Sequence, residues 1–203
     1  MSPEPANNRP APAIRLARLV SLVLHPFLVS PGAIVLIVWL DLHALRSALA
    51  WAALCAALVV VPALVHLHRK LRRREYSDAD VSVREQRYGF YLFGAGCLVF
   101  CYAALRWLKA PAVLMAGFHA ALLATAAAIL ANRFWTKVSI HAGVMAGVTA
   151  AVAHYSLPLA LLPGVGTLLV TWARLVLKQH TLLQALAGWA IAVAAVATVF
   201  GWR

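Results

Sequence analysis

Long apolar runs alternate with short polar breaks along almost the whole chain. A helix needs about 20 apolar residues to cross a bilayer. On that measure the pattern predicts spans over 19–40, 48–67, 89–107, 111–131, 142–157, 159–177 and 181–201. Pro26 and Pro31 are expected to kink the first run and Pro62 the second, because proline removes a backbone donor and crowds the preceding turn. Only Ser156, Leu157 and Pro158 separate the fifth run from the sixth, which predicts a tight helical hairpin. The count is seven spans, or six where the first run lies in the interface or two runs merge. The expected fold is therefore all-α, a polytopic transmembrane helical bundle, with one domain over 14–203. Residues 1–13, rich in Pro, Asn and Ala, are expected to form a disordered tail. They lack the basic-then-apolar layout of a cleavable signal peptide.

Composition leads to the same class. Of 203 residues, 64% are hydrophobic and 12% are charged. Soluble domains sit near half apolar. The surplus apolar surface needs lipid as its solvent.

One connection differs from the rest. Residues 68–88 carry seven Lys or Arg and four acids, whereas the other connections are short. Alternation of the spans puts the N-terminus, this loop and the stretches near 132–141 and 174–180 on one membrane side. That side holds 14 of the 18 basic residues; Arg46, Arg106, Lys109 and Arg203 fall on the other. The excess of basic residues makes the first side cytoplasmic by the positive-inside rule. Setting aside the four basic residues assigned below to a phosphate site leaves 10, so the bias is weaker but survives. The expected location is a cell membrane, a bacterial inner membrane, with the site facing the cytoplasm.

The net charge of +12 fits loop topology and an anionic substrate together. Nucleic acid is not an expected partner, because the basic residues are scattered among loops rather than gathered in one stripe with aromatic partners. The six acids end at Glu85, so the last 118 residues contain no carboxylate. Hard cations want several carboxylate oxygens, which removes most Mg or Ca chemistry from the C-terminal half. Cys55, Cys97 and Cys101 fall in apolar runs without zinc spacing, and read as buried small side chains. No metal and no cofactor is expected.

The polar residues that interrupt the apolar pattern collect at helix ends on the first side. Lys137, Ser139 and His141 lie at the start of one run. Arg174 and His180 stand six apart, with Gln184 four further on and Arg84 and Arg87 three apart in the long loop. Ionisable groups at membrane depth are costly and mark function. Arg174 and His180 lie 1.5 helical turns apart, so they converge only if the helix breaks between them or another helix brings a partner. Two histidines with several cations suit phosphoryl transfer through a phosphohistidine. One imidazole attacks phosphorus, a second protonates the leaving oxygen, and Arg and Lys neutralise the equatorial oxygens.

Arg174-x5-His180-x3-Gln184 resembles the last signature of the type-2 phosphatidic acid phosphatase superfamily, Ser-Arg-x5-His-x3-Asp. Ser139-Ile140-His141 resembles its middle signature, Pro-Ser-Gly-His, and the loop 78–88 ending in Arg87 resembles a worn form of the first, Lys-x6-Arg-Pro. The resemblance covers residues 70–190 or so. It implies His180 as nucleophile, His141 as acid to the leaving group, and Arg174 as a phosphate ligand assisted by Ser139. It makes Arg87 the first-signature arginine. Arg84 and Lys137 are read as substitutes for the missing lysine. The departures are Ala173 for serine, Tyr88 for proline, Asp80 for lysine and Gln184 for the aspartate that orients the nucleophile. A Gln carbonyl still accepts from an imidazole and fixes its tautomer, but stabilises imidazolium less than a carboxylate. Only Asp78, Asp80 or Glu85, reaching in from the loop, could supply the missing charge.

The other histidines, His25, His43, His66, His68, His119 and His154, read as satisfied polar residues. The Arg69–Arg74 cluster reads as a topology anchor or headgroup contact. The tryptophans read as interface belts, with Trp135, Trp172 and Trp189 able to border a lipid's way in. The expected activity is hydrolysis of a lipid phosphate or polyprenyl (di)phosphate without metal, with the substrate and membrane lipids as partners. The alternative is a non-catalytic binder or carrier of lipid phosphates.

Overall fold

The computed structural model describes residues 11–81 and 83–201. Among them the chain is an all-α bundle without strands. In chain order the helices are α1 (Pro12–Val23), α2 (Pro26–Leu42), α3 (Leu45–Cys55), a π-helical turn (Ala56–Val60), α4 (Val61–Arg72), α5 (Arg84–Trp107), α6 (Ala112–Phe134), α7 (Ile140–Tyr155), α8 (Leu157–Val176) and α9 (Leu182–Phe200). The segment read as a tail lies outside the described residues as far as 10. Its last part is not tail, because α1 already begins at Pro12, where proline suits the first helical position.

Among the described residues, five helices are long and apolar enough to cross a membrane, with α3 through α4 counting as one, and a sixth if α1 and α2 form one broken span. The expected first span is therefore two helices, bent by 46° at the residues just before Pro26. Pro31 lies inside α2. Pro62 lies at the start of α4, and the π turn immediately precedes it. A proline at 62 cannot donate to the carbonyl of Leu58, and a widened turn upstream accommodates the lost bond. The fifth expected span is α7, with 16 residues, or about 24 Å of helix against a hydrocarbon thickness of about 30 Å. It survives as a helix of the bundle but falls short of the length for crossing alone.

Many large apolar side chains face outward, among them Phe100, Leu161, Leu162 and Leu168, as expected of helices whose solvent is lipid. Small residues bring helices together. Gly188 of α9 lies against the backbone of Ser139, and Gly143 of α7 lies against the backbone of Gly188. This close approach makes α7 the inner helix, packed on both α8 and α9. At one end of the bundle, Val38, Ala48, Leu105, Leu114 and Phe118 join α2, α3, α5 and α6 in a core. At the other end Leu67, Tyr76 and Val81 form a smaller cluster with Phe27 and Phe90, which pins the loop after α4 to the bundle.

Candidate phosphate site

α8 stops at Val176, and Lys178 takes a left-handed conformation (φ 54°). The amides of Gln179 and His180 then fold back onto the carbonyl of Arg174, at 3.1 and 3.4 Å. This turn resolves the spacing problem. It reverses the chain over the end of α8 and brings His180 back toward Arg174. Thr181 then caps α9 through a reciprocal capping box with Gln184.

His180 is buried and held at both ring nitrogens. Its Nδ1 lies 3.2 Å from Gln184 Oε1, which can only accept, so Nδ1 carries the proton. Its Nε2 lies 3.3 Å from Arg87 Nη2, which can only donate, so Nε2 presents its lone pair. Gln184 is itself oriented: Oε1 also accepts from the Thr181 amide at 3.2 Å, and Nε2 donates to Thr136 Oγ1 at 3.3 Å. Burial, then the Arg87, Arg174 and Lys137 cations, push the imidazole down to about 3, so His180 is neutral at ordinary pH. Burial and the same two arginines hold the Lys137 ammonium below its usual range, and Asp78 acts against them.

Arg87 and Arg174 are both buried. Arg87 donates from Nε to the Val81 carbonyl at 2.7 Å and from Nη1 to the Val138 carbonyl at 3.0 Å, tying the loop to the start of α7. Arg174 Nη1 donates to Ser21 Oγ at 2.9 Å and to Asp80 Oδ1 at 3.0 Å. Asp80 does reach in from the long loop. It pairs with Arg174 and with Gln179 Nε2, however, and His180 is left to Gln184.

Ser139 is fully buried at the N-cap of α7, accepting from the Ala142 amide while its own amide donates to the Gln184 carbonyl at 3.1 Å. His141, in the first turn of α7, is 7% exposed, and its Nε2 is buried without a partner. Arg174 Nε and Gln179 Oε1 are buried without partners too. Unsatisfied polar atoms in such a setting are uncommon and call for an explanation.

His180, His141, Arg174, Arg87, Lys137, Ser139 and Gln184 thus belong to one end of the bundle. Arg84 is engaged elsewhere. Its Nε and Nη2 donate to the carbonyls of Asn132 and Arg133 at 2.8 and 3.3 Å, closing the C-terminal end of α6. It caps a helix there, as a cation at a helix C-terminus should.

Four site residues escaped sequence reasoning. His25 meets His141 edge to face, with ring centroids 4.8 Å apart. The His25-Pro26 pair inside an apolar run was the available signal, since a break before proline lets an imidazole accept the Phe27 amide and line the interior. Ser21, Gln179 and Thr136 carried no signal, because each matters only through a partner far away in sequence. Among the described residues no group of three or more His, Cys, Asp or Glu is arranged to hold a metal ion.

Chemically, the site offers an unprotonated imidazole nitrogen facing the Arg87 guanidinium, with a second buried guanidinium, Arg174, and a second imidazole, His141, at the same end of the bundle. No protein-family model matches the chain, and no curated protein or solved structure matches it.

Proposed function

We propose that the chain is a membrane-embedded phosphatase that hydrolyses a terminal phosphate on a lipid through a phosphohistidine. One observation carries this reading: His180 is oriented by Gln184 at Nδ1 and faces Arg87 with Nε2. That is the arrangement a nucleophilic imidazole needs, because the ring must be neutral and its lone pair must point at the electrophile. The resemblance of the three sequence stretches to type-2 phosphatidic acid phosphatases agrees with it.

In this reaction an arriving phosphate takes over the Arg87 donor now directed at Nε2. His180 Nε2 then bonds to phosphorus as the ester P–O bond breaks, and His141 delivers a proton to the departing lipid oxygen. Water attacks the phosphohistidine, His141 takes its proton, and the Nε2–P bond breaks to release inorganic phosphate. Arg87 and Arg174 counter the charge on the equatorial oxygens, where bidentate guanidinium contacts are strongest. Burial of the reacting group beside apolar helices explains why such chemistry would be carried by a membrane protein. The tail of the substrate stays in lipid while the phosphate enters the cationic end.

A second reading is a lipid-phosphate binder. Gln184 favours it, because an amide stabilises the imidazolium formed during turnover less than a carboxylate does.

The test is phosphate release by purified, detergent-solubilised protein in EDTA, with phosphatidic acid, polyprenyl phosphate and polyprenyl diphosphate supplied. The wild type is expected to turn over at least one of them, with vanadate inhibiting. His180→Ala and His141→Ala are each expected to lose about 100-fold or more in kcat. Binding of these lipids without release from any of them would favour the binder.

A further inference from the structure

Arg174 is the most deeply buried cation of the site, and its partner is a carboxylate of the chain itself. Asp80 accepts from Arg174 Nη1 at 3.0 Å and from Gln179 Nε2, and its backbone carbonyl makes a long 3.5 Å contact with Arg87 Nη2. One short acidic segment therefore engages both buried arginines. Around it hydrogen bonding is incomplete, since Arg174 Nε, Gln179 Oε1 and His141 Nε2 are buried without partners. The next residue, Val81, is held at φ 46°, a conformation that a β-branched side chain resists. Its side chain is buried with Leu67 and Tyr76, and its carbonyl is bound by Arg87. A strained residue kept in place by its surroundings is the kind of joint found at switching segments.

We propose that Asp80 is a built-in competing anion that makes this site select phosphate groups carrying two negative charges over those carrying one. The proposal rests on reading the cluster as a phosphate site. A ligand must displace the Asp80 carboxylate from Arg174. A phosphodiester brings one charge, so the exchange gains nothing electrostatically and still has to move the loop. A terminal phosphate or diphosphate brings about −1.5 to −2 at neutral pH and leaves a surplus of attraction to Arg87, Arg174 and Lys137. The discrimination thus favours lipids with a terminal phosphate over the diester phospholipids that make up the surrounding membrane. Among these, only the former offers a phosphorus the enzyme is meant to attack.

The experiment measures binding of inorganic phosphate and of dimethyl phosphate to the full-length protein by calorimetry at pH 7.5, in wild type, Asp80→Asn and Asp80→Glu. Wild type is expected to bind phosphate about tenfold or more tightly than dimethyl phosphate. In Asp80→Asn, which keeps a hydrogen-bond acceptor for Arg174, both anions are expected to bind more tightly, dimethyl phosphate by the larger factor, so the ratio falls. Asp80→Glu is expected to keep a ratio near that of wild type. An unchanged ratio in Asp80→Asn, or weaker binding of both anions, would overturn the proposal and make Asp80 a fixed partner that merely holds Arg174 in place. Turnover of lipid phosphates is scored in the same preparations. Turnover with an unchanged ratio sinks the competing-anion proposal alone. A ratio that falls in a protein releasing no phosphate supports it and sinks the phosphatase. Binding of neither anion by any variant removes both.

Discussion

At the scale of single residues, Gln184 links the orientation of His180, the proposed nucleophile, to helix formation. Its carbonyl oxygen accepts from His180 Nδ1 and from the Thr181 amide, while its amide nitrogen holds Thr136. An aspartate in this place could accept but could not donate to Thr136, which gives the amide a physical reason to be there. Gln184→Leu removes the acceptor and leaves two donors unsatisfied. It is expected to lower kcat about 10- to 100-fold with KM little changed, because the ring loses its fixed tautomer and orientation while the phosphate ligands remain. The same change takes away half of the capping box, at a cost of about 1 kcal/mol in stability. Gln184→Glu keeps the acceptor and adds charge, and is expected to retain far more activity than Gln184→Leu. Steady-state kinetics on the three proteins checks this. Equal losses in Leu and Glu variants would mean that the Thr136 contact, and not the tautomer, is what matters.

At the scale of helices, the site depends on how closely α9 approaches the start of α7. A Cβ built on Gly188 would lie 2.6 Å from the Ser139 carbonyl oxygen, and backbone cannot rotate out of the way as a flexible side chain can. Gly188→Ala must therefore push the two helices apart, at a cost of about 1–3 kcal/mol. Because Ser139 caps α7 two residues before His141, the same shift displaces the proposed acid. Activity is expected to fall more steeply than stability. Gly96, in α5, has nothing within 4 Å of its added Cβ, and Gly96→Ala is expected to change stability by no more than about 0.5 kcal/mol. Thermal unfolding and phosphate release on both variants separate the effects. A Gly188→Ala protein with wild-type activity would show that the α7–α9 crossing does not position the site.

At the scale of the whole molecule, every residue of the cluster comes from one end of the bundle. The contributors are the end of α1 and the α1–α2 break, the loop after α4, the first turns of α5, α7 and α9, the last turn of α8, and the connections that lead into α7 and α9. This arrangement requires the loops near 77, 137 and 178 to share one membrane side, opposite those near 44 and 108. Ser77→Cys and Lys178→Cys, in a background with the three native cysteines replaced, are expected to react with an impermeant thiol reagent from one side. Ala44→Cys and Leu108→Cys are expected to react only from the other. The positive-inside bias predicts that the Ser77 side is cytoplasmic. Labelling of Ser77→Cys and Lys178→Cys from opposite sides would break the bundle topology itself.

Much of this was written in the linear chain. Helical class follows from apolar runs too long for soluble folds, and the runs ending at 107, 131, 177 and 201 give α5, α6, α8 and α9 to within a few residues, because lipid imposes a length and proline, glycine and charge punctuate it. The spacing of Arg174, His180 and Gln184 was legible for a similar reason. It is local, and a turn plus one helical step brings those side chains together without help from elsewhere. What the chain alone could not settle were relations between distant segments. Asp80 and Arg174 are 94 residues apart, and Ser21 and Arg174 are 153 apart. Arg84 and Arg87 sit one turn apart on α5, yet one caps α6 while the other faces His180. Their roles are set by which neighbouring helix lies across from each face of α5, and that depends on the packing of the bundle as a whole. The length and polarity of each helix are properties of its own residues. The partner of each buried charge is decided only once the helices have packed, because at membrane depth a charge must be satisfied by whatever polar group the packing brings within reach.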